Sequence, residues 1–479
     1  MALPRAPVHR WSDDRDAPTG NIARSVFLAT AIGFAMVGAT TAVWISRANV
    51  ADLFYFGSTG LWSAMDPAGF YLPDVILFFE PGPLAHDYHP GVTMTFMAAL
   101  LARVAYAAST LFVDQEPYVE FWVRHRILLT ALLAGLADAM WLACCHPLFK
   151  VLRHLMDRSA AYVGCTLFLT SVPVLLYLSR FAPEAWMLYF SLWSIHLSLC
   201  VLDGQGETRT AAAMGVCTAL AVLSKWLALP VVALNLFSLL RPPQRHAPTF
   251  RRSLVAYGLA AAIPATLLLS RLSFSHLAEG LALQMRDAPG IARTFALPHQ
   301  HPFLVHNALV FALGMLGLAV IFALRAQVRS TLAALLATLA LMALLIVRRP
   351  MWHYFFGFYW LFPAAAAYGL TLLLTRRSPW RRDRAAVAAG FVIIAACNAW
   401  AYPDIIGTYA GYRDAFRQRA ALAKLHPAWV AAPWEYALSG FDATRDPARV
   451  FPFYGHRLDA PLQSQRRHED RAHQPQSSR

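Results

Sequence analysis

Apolar runs of roughly 18 to 23 residues, the length a helix needs to cross a bilayer core, recur along most of this sequence and constrain its fold more than any other feature. Candidate spans, two of them shorter, lie at about Ser25–Ser46, Ile127–Pro147, Ser159–Ser179, Ala185–Leu202, Thr210–Ser224, Trp226–Leu240, Ser253–Leu272, Phe303–Leu324, Thr331–Val347, Tyr354–Leu374 and Ala385–Tyr402. The pattern predicts an all-α polytopic membrane protein of about eleven transmembrane helices. Composition agrees, since 58% of the 479 residues are hydrophobic and only 14% are charged, which leaves too little polar surface for a water-soluble globule.

A net charge of +14 could suggest nucleic acid, but the arginines sit in short clusters between the apolar runs, where the positive-inside bias places them. Arg5, Arg10, Arg15 and Arg24 precede the first run, which reads as a retained helix entering from the cytoplasm. Gly91–Val113 is also long and apolar enough to cross, and counting it reverses everything after it. If it does not cross, fifteen basic residues from Lys150 to Arg384 fall in inner loops and seven, Arg180, Lys225, Arg271, Arg286, Arg293, Arg348 and Arg349, fall outside. Loop charge therefore favours an interfacial or re-entrant helix in the first outer loop, with Arg103 snorkelling. Thr210–Leu240 is ambiguous, since it reads either as two runs of about fifteen residues separated by Lys225 or as one tilted helix. With two half-lengths, Lys225 sits at the floor of a cavity open to the outer face.

The expected organisation is a cytoplasmic segment over 1–24, a transmembrane domain over 25–402 with a first outer loop over about 47–126, an outer-face segment over 403–462 and a disordered tail over 463–479. The six cysteines, Cys144, Cys145, Cys165, Cys200, Cys217 and Cys397, all lie in apolar segments without the spacing of a zinc site, and read as small core residues.

Four constellations could carry chemistry. The first outer loop gathers Asp52, Asp66, Asp74, Glu80 and Asp87 in an otherwise basic chain, with Asp52 five residues past the first helix. Asp52 is a candidate general base, or a helix-start cap. In "AHDYHPGVT", His86, Asp87 and His89 have a spacing that suits a divalent metal, or an ordinary surface turn. In "YLSRFAPEAWMLYF", Arg180 and Glu184 occupy the few residues between two spans, as functional groups or as a loop ion pair. In "IVRRPMWHYFFGFYWLFP", Arg348 and Arg349 stand outside against the charge trend, followed by His353, Tyr354 and a dense aromatic stretch. Paired guanidiniums suit a phosphate and the aromatics a prenyl chain or sugar ring, while headgroup anchoring is the plainer alternative. The chain has no Walker loop, Gly-rich dinucleotide turn, GxSxG elbow or HExxH helix.

In their order along residues 25 to 375, these pieces resemble the C-type (GT-C) integral membrane glycosyltransferases related to protein O-mannosyltransferases and the bacterial lipid A aminoarabinose transferase. Asp52 in "ADLFYF" matches the acid after the first helix, "YHPGVT" the His-Pro motif, and Arg180 with Glu184 the second outer loop. "LSKW" with Lys225 matches the hinge, and "RRPMWHYF" the late cluster. Gly91 replaces the usual second Pro, Glu184 stands where Asp is common, and Asp52 has no acidic neighbour. The resemblance implies a sugar donor carried on a polyprenyl phosphate and an acceptor protein, lipid or glycan at the outer face of a bacterial plasma (inner) membrane, with membrane lipids and no nucleic acid as further partners. It implies Asp52 as catalytic base, and Arg348, Arg349, Lys225, His353 and Tyr354 at the donor phosphate. Arg180, Glu184, Asp87 and His89 would orient the donor or hold a divalent metal ion. The main rival is a polytopic transporter or flippase of a lipid-linked glycan, which predicts ionisable residues near mid-membrane and repeat symmetry. Only Asp138 lies well inside a candidate span, and no internal repeat is evident.

Overall fold

A computed structural model describes residues 18–48, 71–81, 84, 91–111, 116–204, 208–241, 250–272, 278, 302–347, 356–374, 388–390, 392–393 and 396. Every regular element among them is helical: α1 (Pro18–Ala48), α2 (Leu72–Leu77), α3 (Val92–Ser109), α4 (Tyr118–Arg124), α5 (Arg126–Leu155), α6 (Arg158–Leu169), α7 (Val172–Leu176), α8 (Glu184–Leu202), α9 (Thr208–Ser224), α10 (Leu229–Leu240), α11 (Phe250–Leu269), α12 (Pro302–Leu324), α13 (Arg329–Val347), α14 (Phe356–Tyr359) and α15 (Leu361–Leu374), with single 3-10 turns at Trp226–Ala228 and Ala326–Val328. Among the described residues, six segments are long and apolar enough to cross a membrane, in α1, α3, α5, α8, α11 and the turn leading into α13; α9, α10, α12 and α15 are shorter apolar helices. The expected span Ala385–Tyr402, apart from six of its positions, and the segment after it lie outside the described residues.

Helix α8 is central, packing on α5, α9 and α10; α1 lies on α5 and α6, α11 on α9, α13 on α10, and α15 joins α6 to α12. One continuous apolar core runs through these helices, with Trp122, Trp141, Trp186 and Trp360 buried in it. The opposite faces of α1, α11 and α13 expose Ile32, Met36, Leu259, Ile263, Leu267 and Leu344. Water would not tolerate that much apolar surface, whereas lipid matches it. Without a hydrophobic force between helices in lipid, close contact needs small residues. On α12 and α15 the backbones approach so closely that a Cβ on Gly369 would lie 2.3 Å from Gly317 Cα. Polar groups reinforce the interior: the Asn235 amide nitrogen donates to Ser194 at 2.9 Å and to Tyr257 at 3.3 Å, and the Ser198 hydroxyl donates to its carbonyl oxygen.

Two expected spans are interrupted. Ser159–Ser179 forms α6 and the short α7 rather than one helix, with Pro173 at the start of α7, where its missing N–H and fixed φ suit a helix beginning and not a continuation. Tyr354–Leu374 is divided into α14 and α15 at Trp360, whose indole N–H donates to the Gly357 carbonyl at 3.0 Å. The ambiguous Thr210–Leu240 is two helices: α9 ends at Ser224, Lys225 is extended (φ −161, ψ 133), and Pro230 helps start α10. The guanidinium of Arg103 on α3 finds partners within the protein. It pairs with Glu80 and lies 3.6 Å over the Tyr118 ring, because α2 and α4 bring a carboxylate and an aromatic face within its reach. Burial pushes the Tyr118 phenol up to about 12, against the opposing pull of Arg103, so it remains a neutral ring beneath the guanidinium.

Candidate functional site

The helix break at Lys225 turns its side chain into the bundle, where the ammonium pairs with Glu184 Oε1. Glu184 begins α8, and a carboxylate in the first turn is favoured there by the helix dipole. Both residues are buried, at 5% and 3% exposure, so the two charges compensate one another away from water. The pair leaves Glu184 Oε2 buried with no hydrogen-bond partner among the described residues. Arg180, four residues earlier and 9% exposed, lies 5.8 Å from the Tyr177 ring centre. Two ionisable groups from two sequence motifs thus meet, with Arg180 four residues before one of them.

Described neighbours of the other motifs approach the same break. Gly91, directly after the His-Pro pair, donates its N–H to the Leu223 carbonyl at 3.0 Å, two residues before Lys225, and Thr93 Oγ1 donates to the Leu220 carbonyl at 3.0 Å. On the other side, a Cβ on Gly357 of α14 would lie 3.3 Å from Leu227 Cδ2, two residues after Lys225. Tyr71 ties the segment between α1 and α3 to the Arg180–Glu184 segment: its Cε1 is 3.1 Å from where a Gly91 Cβ would stand, and its ring meets Phe181 edge-on at 6.2 Å. Phe181 in turn packs edge-on against Trp186 at 5.6 Å.

Gly91 has φ +140 and ψ 0, a conformation that glycine adopts and L side chains rarely do. A proline there would have neither the required φ nor the N–H given to Leu223. The departure from a second proline is therefore built into the backbone.

Sequence reasoning missed the support beneath Arg180. Ser179 is the one non-glycine residue with positive φ (+60) among the described residues. Its backbone N–H donates to Asp138 Oδ1, and its hydroxyl lies 2.7 Å from Asp138 Oδ2 and 3.1 Å from the Gly38 carbonyl, sharing one proton between two acceptors. A Cβ on Gly38 would lie 2.8 Å from Asp138 Oδ2, so α1 can approach only without a side chain there. Asp138, the mid-span acid of the kind a transporter uses, has both oxygens committed to Ser179. The signal available in the sequence was an isolated acid within a span.

Asp52, Asp87, His89, Arg348, Arg349, His353 and Tyr354 lie outside the described residues. Among the cysteines, Cys144, Cys145 and Cys165 are buried as expected of small core residues. Cys200 corrects that expectation: it is partly exposed and faces His154 and His196, because a neighbouring helix supplies the partner that linear spacing could not reveal.

Among solved structures, the chain is similar to the Archaeoglobus fulgidus oligosaccharyltransferase in complex with Zn and sulfate, with 16% identity and a TM-score of 0.42 over 78% of this chain and 53% of that one. The same enzyme tethered to an acceptor peptide containing the NVT sequon gives 15% identity and a TM-score of 0.40 over 77% and 54% of the two chains. Its apo form gives 15% and 0.40 over 79% and 56%. The chain spans about half the length of the oligosaccharyltransferase it matches. No protein-family model and no curated protein matches it.

Proposed function

We propose that this chain is a membrane glycosyltransferase that moves a hexosyl or pentosyl group from a polyprenyl-phosphate donor to an acceptor hydroxyl or amine of a protein, lipid or glycan at the outer membrane face. The observation that carries the proposal is the buried Lys225–Glu184 pair at a helix break, flanked by the described neighbours of the His-Pro and late Arg motifs. A pre-formed pair in a desolvated site stabilises developing charge without reorganising, which suits the departure of a lipid phosphate.

In this scheme Asp52 removes the acceptor proton as its oxygen or nitrogen attacks the anomeric carbon from the face opposite the phosphate. The bond to the phosphate oxygen breaks as the new one forms, and a single displacement inverts configuration. Lys225, Arg348 and Arg349 hold the departing phosphate, with His353 and Tyr354 beside it. Arg180 and Glu184 orient the donor, and the unpartnered Glu184 Oε2 is available to accept a sugar hydroxyl. Asp87, His89 and Glu184 offer oxygen and imidazole ligands of the kind a divalent ion takes, and such an ion would add charge stabilisation at the phosphate. A lipid-linked donor brings its own bond energy, in keeping with the lack of nucleotide-binding motifs.

The decisive experiment is transfer from synthetic polyprenyl-phosphate sugars by the purified Asp52→Asn protein in lipid. Losing a general base should lower turnover by about 100- to 10,000-fold with donor binding retained. Transfer at the parent rate would remove Asp52 from the role of base. Arg348→Ala and Arg349→Ala should instead weaken donor binding, and unchanged donor affinity would leave those arginines as headgroup anchors.

A further inference from the structure

At the opposite end of α8 from Glu184, His196 and Cys200 stand one helical turn apart, and His154 of α5 closes the group. With a rise of 1.5 Å per residue, Cys200 lies about 24 Å along the helix from Glu184, far outside the transfer site. His154 Nε2 is 3.2 Å from His196 Nδ1 and 3.9 Å from Cys200 Sγ, and Cys200 Sγ is 3.8 Å from His196 Nδ1. We propose that His154, His196 and Cys200 form a binding site for a thiophilic divalent ion of the zinc type.

Three observations converge on this assignment. The first is spacing: tetrahedral zinc, with bonds of about 2.0 Å to nitrogen and 2.3 Å to sulfur, sets nitrogen pairs roughly 3.3 Å apart and nitrogen from sulfur roughly 3.6 Å. The triangle of donor atoms is within a few tenths of an ångström of that figure before any adjustment. The second is the partner behind the ligand: His154 Nδ1 lies 2.9 Å from Asp203 Oδ2, which fixes the Nδ1–H tautomer and turns the Nε2 lone pair toward the other two donors. Carboxylate behind imidazole is the arrangement that orients metal-binding histidines. The third is access and charge. All three ligands are partly exposed, and Asp203, with a side chain 43% exposed, stands at the rim. On binding, the Cys200 sulfur gives up its proton and, together with Asp203, supplies negative charge that offsets the ion.

Binding replaces the Cys200 S–H bond with a sulfur–metal bond and releases the proton to solvent, with no change in oxidation state. Three protein ligands leave a fourth position for water or another donor. The ion would clamp the ends of α5 and α8 together, adding stability at the end of the bundle opposite the transfer site.

Cobalt(II) titration of chelator-treated full-length protein in detergent tests this, read by thiolate-to-metal charge transfer in the near ultraviolet and by the visible bands of tetrahedral cobalt. The parent protein should saturate at one ion per chain, with zinc displacing cobalt. Cys200→Ser should lose the charge-transfer band and His196→Ala should lose tight binding. Asp203→Asn should weaken affinity by about 10- to 100-fold, the usual effect of removing the group behind a ligand. Metal-free thermal unfolding of each variant, matched to the parent, separates lost ligation from lost folding. No thiolate band in folded parent protein, or a band that persists in Cys200→Ser, would overturn the proposal and leave an Asp203–His154–His196 hydrogen-bond chain.

Discussion

Lys225 and Glu184 are costly residues to bury, since each charge gives up hydration that the other only partly replaces. Removing one partner leaves the other uncompensated, so Lys225→Met and Glu184→Gln should each destabilise the protein by about 3 to 5 kcal/mol in a thermal or denaturant assay in detergent. The double variant should recover most of that stability while still failing to transfer sugar. A double variant that regains both stability and transfer would reduce the pair to a structural feature. Gly91 yields a second prediction at this scale. With φ +140 and Tyr71 Cε1 3.1 Å from where an alanine methyl would stand, Gly91→Ala should cost about 1 to 3 kcal/mol. Gly91→Pro should cost more, because it also strands the Leu223 carbonyl. Comparable melting temperatures for Ala, Pro and the parent would contradict that geometry.

At the scale of elements, helices were legible wherever the apolar run was uninterrupted: Ala185–Leu202 and Phe303–Leu324 match α8 and α12 to within a residue. The Lys225 break was legible as an alternative, since a charge between two short runs is a visible interruption. The division of Ser159–Ser179 into α6 and α7 was not, because hydropathy is blind to a proline's missing donor inside an otherwise apolar run. Glu184 and Lys225 were singled out by charge at span edges, but their pairing depends on a contact between residues 41 apart that no local pattern encodes. The Asp138–Ser179 support was invisible for the same reason. Its role is testable: Asp138→Leu keeps roughly the side-chain volume yet removes both acceptors, which strands the Ser179 backbone N–H. Leaving a buried donor unpaired should cost about 1 to 3 kcal/mol, and loosening the Arg180 loop should raise donor KM, seen by melting and donor-dependence measurements on one preparation. An unchanged KM beside a lowered melting temperature would confine Asp138 to stability.

For the whole molecule, the described contacts sort into two ends. Glu184, Lys225, Gly91 and Arg271 mark one: Arg271 donates to the Glu80 carbonyl at 2.9 Å, and Glu80 pairs with Arg103 at the edge of the same loop. His154, Asp203 and Arg241 mark the other, with Arg241 3.4 Å from the Leu202 carbonyl. Helix α5 joins the ends, and its 30 residues span roughly 45 Å at 1.5 Å each, more than a bilayer core of about 30 Å. Arg124 just before it and Lys150 near its far end are both exposed and must therefore face opposite compartments. If α3 does not cross, as the loop charges favour, Arg124 faces out together with Glu184 and Lys225, and Lys150 faces the cytoplasm. If α3 crosses, the assignments exchange and the transfer site meets a compartment where a polyprenyl-phosphate sugar facing outward could not reach it. Single cysteines at Arg124 and Lys150, in a chain with its native cysteines replaced by serine or alanine, decide between these cases. An impermeant maleimide applied to intact cells should label Arg124→Cys and should reach Lys150→Cys only after the membrane is opened. The reverse pattern would place the Lys225–Glu184 pair inside and reject an outer-face reaction, whatever the chemistry of its residues.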